Sequence, residues 1–92
     1  MDIKLFAWDP EKNRRLKSDR GVSFEEVVFF IANGYLLDIL QHPNVERYGH
    51  QRIFVVRIEQ YVFLVPFVET ETEVFLKTII PSRKATREYL KD

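Results

Sequence analysis

The sequence has no cysteine, so neither disulfides nor thiolate metal sites exist. Its three glycines are isolated from one another, which leaves no glycine-rich loop to cradle a phosphate. No apolar run is long enough for a membrane span. The late run VFLKTII is interrupted by Lys77, and the start MDIKLFAWDP is too polar for a signal peptide. These features suggest a cytoplasmic protein with no membrane association. Charge of one sign is also lacking: 14 Lys and Arg balance 14 Asp and Glu, so no global field draws the chain to nucleic acid. His42 and His50 lie in one loop with Asp38 and Glu46 nearby in sequence, but their spacing matches no metal-ligand pattern. Neither metal nor cofactor is expected.

What is present suffices for one small domain over residues 1–92. Apolar residues make up 46% of the chain, including eight Phe, which excludes disorder. Charge is locally uneven: Lys12 to Arg20 holds five cations against the single anion Asp19, and Glu69, Glu71 and Glu73 form an acidic turn.

In chain order, Asp2 to Trp8 reads as a strand. Asp9 caps a helix with Pro10 at its first position, ending near Gly21. This helix is polar, with Leu16 its one large aliphatic residue, so most of it is expected to be solvated. Ser23 and Glu26 form a capping box, and Val22 can staple against Val27. Phe24, Val27, Val28 and Ile31 then mark the buried face of a second helix, which Gly34 closes in a left-handed conformation. Tyr35 to Gln41 reads as a strand, and His42 to His50 as a loop. Arg52 to Glu59 and Tyr61 to Val68 read as a hairpin across Glu59-Gln60, although neither residue favours positive φ. The near-continuous run YVFLVPFV suggests burial on both faces, with an edge or bulge near Pro66. Val74 to Ile80 is the last strand, ended by Pro81. The expected fold is α+β: a mostly antiparallel sheet of about four to five strands, two N-terminal helices and a C-terminal helix.

That last helix, capped by Ser82 and running to about Lys91, has unusual charge order. Arg83, Lys84 and Arg87 fall in its first turn and a half, where the helix dipole prefers anions; each forgoes or costs roughly 0.3–1 kcal/mol. Such an end suits a bound phosphate or a partner's carboxylate. Side chains directed into solvent also fit the pattern, and the sequence leaves both readings open. One reaction needs neither metal nor thiol: attack of a ribose 2′-OH on the adjacent phosphate. It wants cations on the phosphate and groups that move protons. Arg83 and Lys84 are the leading catalytic candidates, with His50 and Lys77 behind them. Lys12, Arg15, Arg52, Arg57 and Arg87 are candidate RNA-binding residues, and Tyr48 or Tyr61 can stack a base.

FAWDPEKN, RGVSFEEV, VPFVETE and IIPSRKATREYL occur here in an order and spacing that resemble the BrnT family of bacterial type II toxins. The likeness covers nearly the whole chain, and SRKAT is its most specific piece. It implies a RelE-like fold and a ribonuclease that arrests growth by cutting RNA. It also implies a neutralising antitoxin, usually a small ribbon-helix-helix DNA-binding protein. Arg83 and Lys84 match the family. Leu16 stands where the family usually has Asn, Arg20 where it has His, Thr78 where it has Arg, and Pro81 where it has Ser. Lys77 does not simply replace the missing Arg, since neighbouring strand residues point to opposite faces. The chain therefore looks like a divergent member. Beside a toxin ribonuclease, the sequence also fits a non-catalytic binding module in a toxin–antitoxin repressor complex, or a small structural protein with a plain charged surface.

Overall fold

A computed structural model of the chain describes residues 4–91, apart from the side chain of Tyr48. Asp2 and Ile3, the expected start of the first strand, lie outside the described residues. The chain runs β1 (Leu5–Ala7), α1 (Pro10–Arg20), α2 (Phe24–Ala32), β2 (Leu36–Gln41), α3 (Val45–Tyr48), β3 (Gln51–Ile58), β4 (Tyr61–Glu69), β5 (Glu73–Leu76), β6 (Ile80–Pro81) and α4 (Arg83–Tyr89). The sheet order is β1-β5-β4-β3-β2, with β6 also beside β4. Every pairing is antiparallel except β1 with β5. The fold is thus α+β, as expected, and the turns between β3, β4 and β5 are too short for anything but antiparallel pairing. Among the described residues no helix is long and apolar enough to cross a membrane.

Both faces of the sheet are covered, which explains the continuous apolar run in β4. Phe54, Val56, Val65, Phe67, Leu76 and Ile79 face α2, where Phe24 and Val27 are fully buried. Val55 and Val62 alternate to the other face and pack on Ala85 of α4. Full burial of each such side chain stabilises by about 1.5–3 kcal/mol. Phe54 and Phe67, diagonal neighbours on β3 and β4, stack with centroids 3.8 Å apart. The hydroxyl of Tyr89 donates to Asp38 at 2.8 Å, tying the end of α4 to β2.

The helix starts follow the sequence. Asp9 accepts from the Glu11 N–H, and Gly21 takes φ 68. Ser23 and Glu26 make the reciprocal capping box. The polar helix α1 is held by more than Leu16. Asn13 is also buried: its carbonyl accepts from the Phe24 N–H and its amide donates to Glu25, both at 2.8 Å. One side chain thus satisfies an orphan donor at the start of α2 and joins the two helices.

Three details of the chain before α4 differ from the sequence reading. Residues 45–48 form a one-turn helix rather than loop, because the Asn44 side chain caps it by accepting from Arg47 N–H. Pro81 does not end the last strand but pairs with Phe63 within β6. Its missing donor costs nothing there, since among the described residues β6 has no further neighbour in the sheet. The last strand is itself broken, making six strands among the described residues. Phe67 pairs with Leu76 and Leu64 with Ile80, so two residues of β4 face three residues, 77–79, on the other side. This is the bulge expected at Pro66, whose carbonyl accepts from the Lys77 N–H at 2.8 Å. It lets Leu76 and Ile79, three apart, both enter the core.

Candidate nucleic-acid interface

The segment Ser82–Thr86 divides by function. Ser82 accepts from the Ala85 N–H at 3.0 Å as the N-cap, and its own N–H donates to the Val62 carbonyl at 3.0 Å. Thr86 Oγ1 accepts from the Val62 N–H at 2.8 Å and donates to the Ser82 carbonyl at 2.7 Å. Ala85 is buried. Three of these residues therefore pin α4 to one residue of β4. The other two, Arg83 and Lys84, are exposed, and their side chains make no hydrogen bond or ion pair with any described residue. The first turn of α4 carries no acidic residue. The helix ends at Tyr89 rather than near Lys91, so Arg87 lies in its last turn, where the dipole favours a cation. The reversed charge order is confined to Arg83 and Lys84.

The remaining candidates do not gather here. His50 is exposed just before β3, and Gln51 pairs with Val68. Val68 lies about 20 Å along β4 from Val62, at ~3.3 Å per residue. His50 is therefore at the far end of the sheet from α4's start, and the sequence did not show against which end of the β3–β4 hairpin α4 would begin. Lys77 sits in the bulge opposite Pro66, about 13 Å along β4 from Val62, with Nζ 5.8 Å from the Phe75 ring centre. The four catalytic candidates do not form one constellation.

Among the RNA-binding candidates, Arg52 pairs with Glu69, which also holds Lys4 at 2.7 Å. These contacts place Arg52 in a structural cluster at the same end of the sheet as His50. Lysine 4 and Arg52 hold the Glu69 carboxyl below its usual range, with the Lys4 hydrogen bond the larger cause. Arg57 is half-buried and donates to the Glu59 carbonyl at 2.9 Å. Lys12 and Arg15 lie on α1, on the sheet face opposite α4. Arg87 is exposed on α4 itself.

Arg20, which the sequence marks as standing where the BrnT family usually has His but does not place among the candidate site residues, takes a distinct position. It donates to the carbonyl of Ile79, three residues before Ser82, and so reaches the sheet edge where α4 begins. It also lines a cleft of about 300 Å³ between the α1–α2 junction and the β3–β4 hairpin, with Glu26, Ile58, Glu59, Tyr61 and Phe63. Tyr61, a stacking candidate from sequence, directly precedes the residue to which α4 is pinned. Tyr48 is placed in α3, near His50. Two signals in the sequence marked Arg20: its place at the helix end, immediately before Gly21, and the His that the BrnT family, which the chain resembles, usually has there. Comparisons with protein-family models, curated proteins and solved structures give no match for this chain.

Proposed function

We propose that this protein is a metal-independent ribonuclease toxin of a bacterial type II toxin–antitoxin system, with Arg83 and Lys84 holding the scissile phosphate. One observation carries the reading: within Ser82–Thr86 three residues fix the helix, while the exposed side chains of Arg83 and Lys84 in its first turn have no partner among the described residues. In the reaction the ribose 2′-oxygen loses its proton and bonds to the adjacent phosphorus. The bond to the 5′-oxygen breaks, and that oxygen takes up a proton. The products are a 2′,3′-cyclic phosphate and a 5′-hydroxyl. Phosphate charge rises on the way, and each preorganised donor there can be worth about 3–4 kcal/mol. A cognate antitoxin, a small DNA-binding protein of the ribbon-helix-helix kind, would cover these cations. The antiparallel sheet between helices is compatible with the RelE-like fold that the resemblance implies.

The test is induced expression in bacteria with RNA integrity followed over minutes. Wild type is expected to arrest growth and fragment RNA. Arg83→Ala with Lys84→Ala is expected to abolish both while melting at the wild-type temperature. RNA cut at full rate by the folded double variant would end the assignment. A second reading, a non-catalytic binding module, is favoured by a specific observation: His50 lies about 20 Å along the sheet from the cations, so the proton-moving candidate is not beside them. Folded wild type that cuts no RNA, with or without ribosomes, would select this second reading. Antitoxin binding that is unchanged by Arg83→Glu with Lys84→Glu would show that the partner lies elsewhere.

A further inference from the structure

The cleft beside Arg20 carries opposite charges that do not meet. Arg20 gives one N–H to the Ile79 carbonyl and forms no ion pair with any described carboxylate. Glu26 has one oxygen committed to Ser23, to its N–H at 3.0 Å and its hydroxyl at 3.3 Å. Glu59 makes no side-chain hydrogen bond or ion pair with any described residue, yet both carboxylates line the same cleft as Arg20. Glu59 also has φ 56, a conformation that Asn or Gly would take more readily at a hairpin. The apolar part of the lining is aromatic: Tyr61 and Phe63, half-buried, meet edge to face with centroids 5.6 Å apart.

The fitting ligand is planar, with paired donors toward a carboxylate and acceptors toward a guanidinium. Among the RNA bases guanine has both. N1–H and N2–H₂ form a parallel donor pair on one edge, and O6 with N7 form an acceptor pair that Arg recognises. Cytosine offers one amine, and adenine and uracil alternate donors with acceptors. We propose that this cleft reads a guanine base of the RNA, with Glu59 accepting from its Watson–Crick edge, Arg20 donating to O6 and N7, and Tyr61 stacking on the ring. The inference rests on the RNA reading above and adds base specificity to it. The positions agree: Tyr61 borders the cleft, and the next residue, Val62, receives Ser82 and Thr86 at the start of α4. The cleft opens on the face covered by α1 and α2, and α4 packs on the other, so base and phosphate would be held on either side of the hairpin end of β4.

The test uses labelled hexaribonucleotides UUXUUU, with X as G, A, C or U and 2′-O-methyl riboses so that none is cut. Binding is read by fluorescence anisotropy at low salt. The G strand is expected to bind about ten-fold tighter than the A or U strand, or more, the discrimination of one bidentate base contact. Glu59→Gln presents a donor where guanine needs a second acceptor and should collapse the ratio of G to U affinity. Glu59→Asn should do the same while raising the melting temperature, because Asn suits the backbone there. Arg83→Ala with Lys84→Ala should weaken all four strands alike. Equal affinity for the four strands, or a G preference that survives Glu59→Gln, overturns the cleft assignment and leaves RNA binding standing. Binding of none of the four overturns both.

Discussion

Replacing Thr86 with Val removes one hydroxyl and keeps the side-chain shape. In the native protein that hydroxyl is the acceptor for the Val62 N–H at 2.8 Å, and Val62 is fully buried. The Ser82 carbonyl, which the hydroxyl also serves, keeps its backbone bond from the Thr86 N–H at 3.0 Å. The loss therefore falls on one orphaned buried donor, worth about 1–3 kcal/mol. A domain of this size loses about 4–8 °C in Tm for each kcal/mol, so Thr86→Val should melt about 5–20 °C below wild type. Thermal unfolding followed by circular dichroism measures this. Thr86→Ser, which restores the acceptor, should recover most of it, and the Val62 amide should lose hydrogen-exchange protection in the Val variant alone. Lys84→Ala, at an exposed position without partners, should stay within about 0.5 kcal/mol of wild type. A Thr86→Val protein as stable as wild type would refute the pinning of α4 to Val62. With it would go the division of Ser82–Thr86 into structural and functional residues.

Asn13→Ala should cost about 1–3 kcal/mol by urea unfolding, since it orphans the N–H of fully buried Phe24. The same change should raise the Glu25 pKa toward its ordinary value, because the Asn13 hydrogen bond is the main cause of its lowering. Gly49→Ala should destabilise by about 1 kcal/mol, as its Cβ would stand 2.6 Å from the Val45 carbonyl oxygen; unchanged stability would mean that α3 yields freely. Glu69 titrates below its ordinary 4.5 in the folded protein. Its contribution to stability is therefore present above that value and lost as pH falls through the folded pKa. Lys4→Ala should move the Glu69 titration up toward 4.5 in a carboxyl NMR experiment and lessen the acid-side fall in stability.

The starts of α1, α2 and α4 were legible because their signals are local. Asp9, Ser23 and Ser82 each bond a backbone N–H within three residues, and a sequence displays such spacings directly. The two-sided burial of β4 was legible too, from its unbroken apolar run. Asn13 was not, because its partners are a backbone N–H and a carboxylate eleven and twelve residues away, and polarity in a helix ordinarily means solvent. For the same reason the contact of Arg20 was not legible: its acceptor lies on Ile79, 59 residues on. The association of His50 with Arg83 and Lys84 failed on topology. Chemical type said what each side chain does, while the register of β3 on β4 decided how far apart they lie.

The bulge opposite Pro66 makes the chain between Leu76 and Ser82 a phase adjuster. With its extra residue, Leu76 and Ile79 both face the core and the N–H of Ser82 arrives at the Val62 carbonyl. Deleting one residue from 77–79 would restore plain alternation and turn either Ile79 or the Ser82 cap to the wrong side. Such a deletion would damage the protein more than a substitution at the same place. Loop-length changes between β4 and β5, upstream of the bulge, leave this phase untouched. Natural or engineered length variants are accordingly expected at Thr70–Thr72 and not at 77–79.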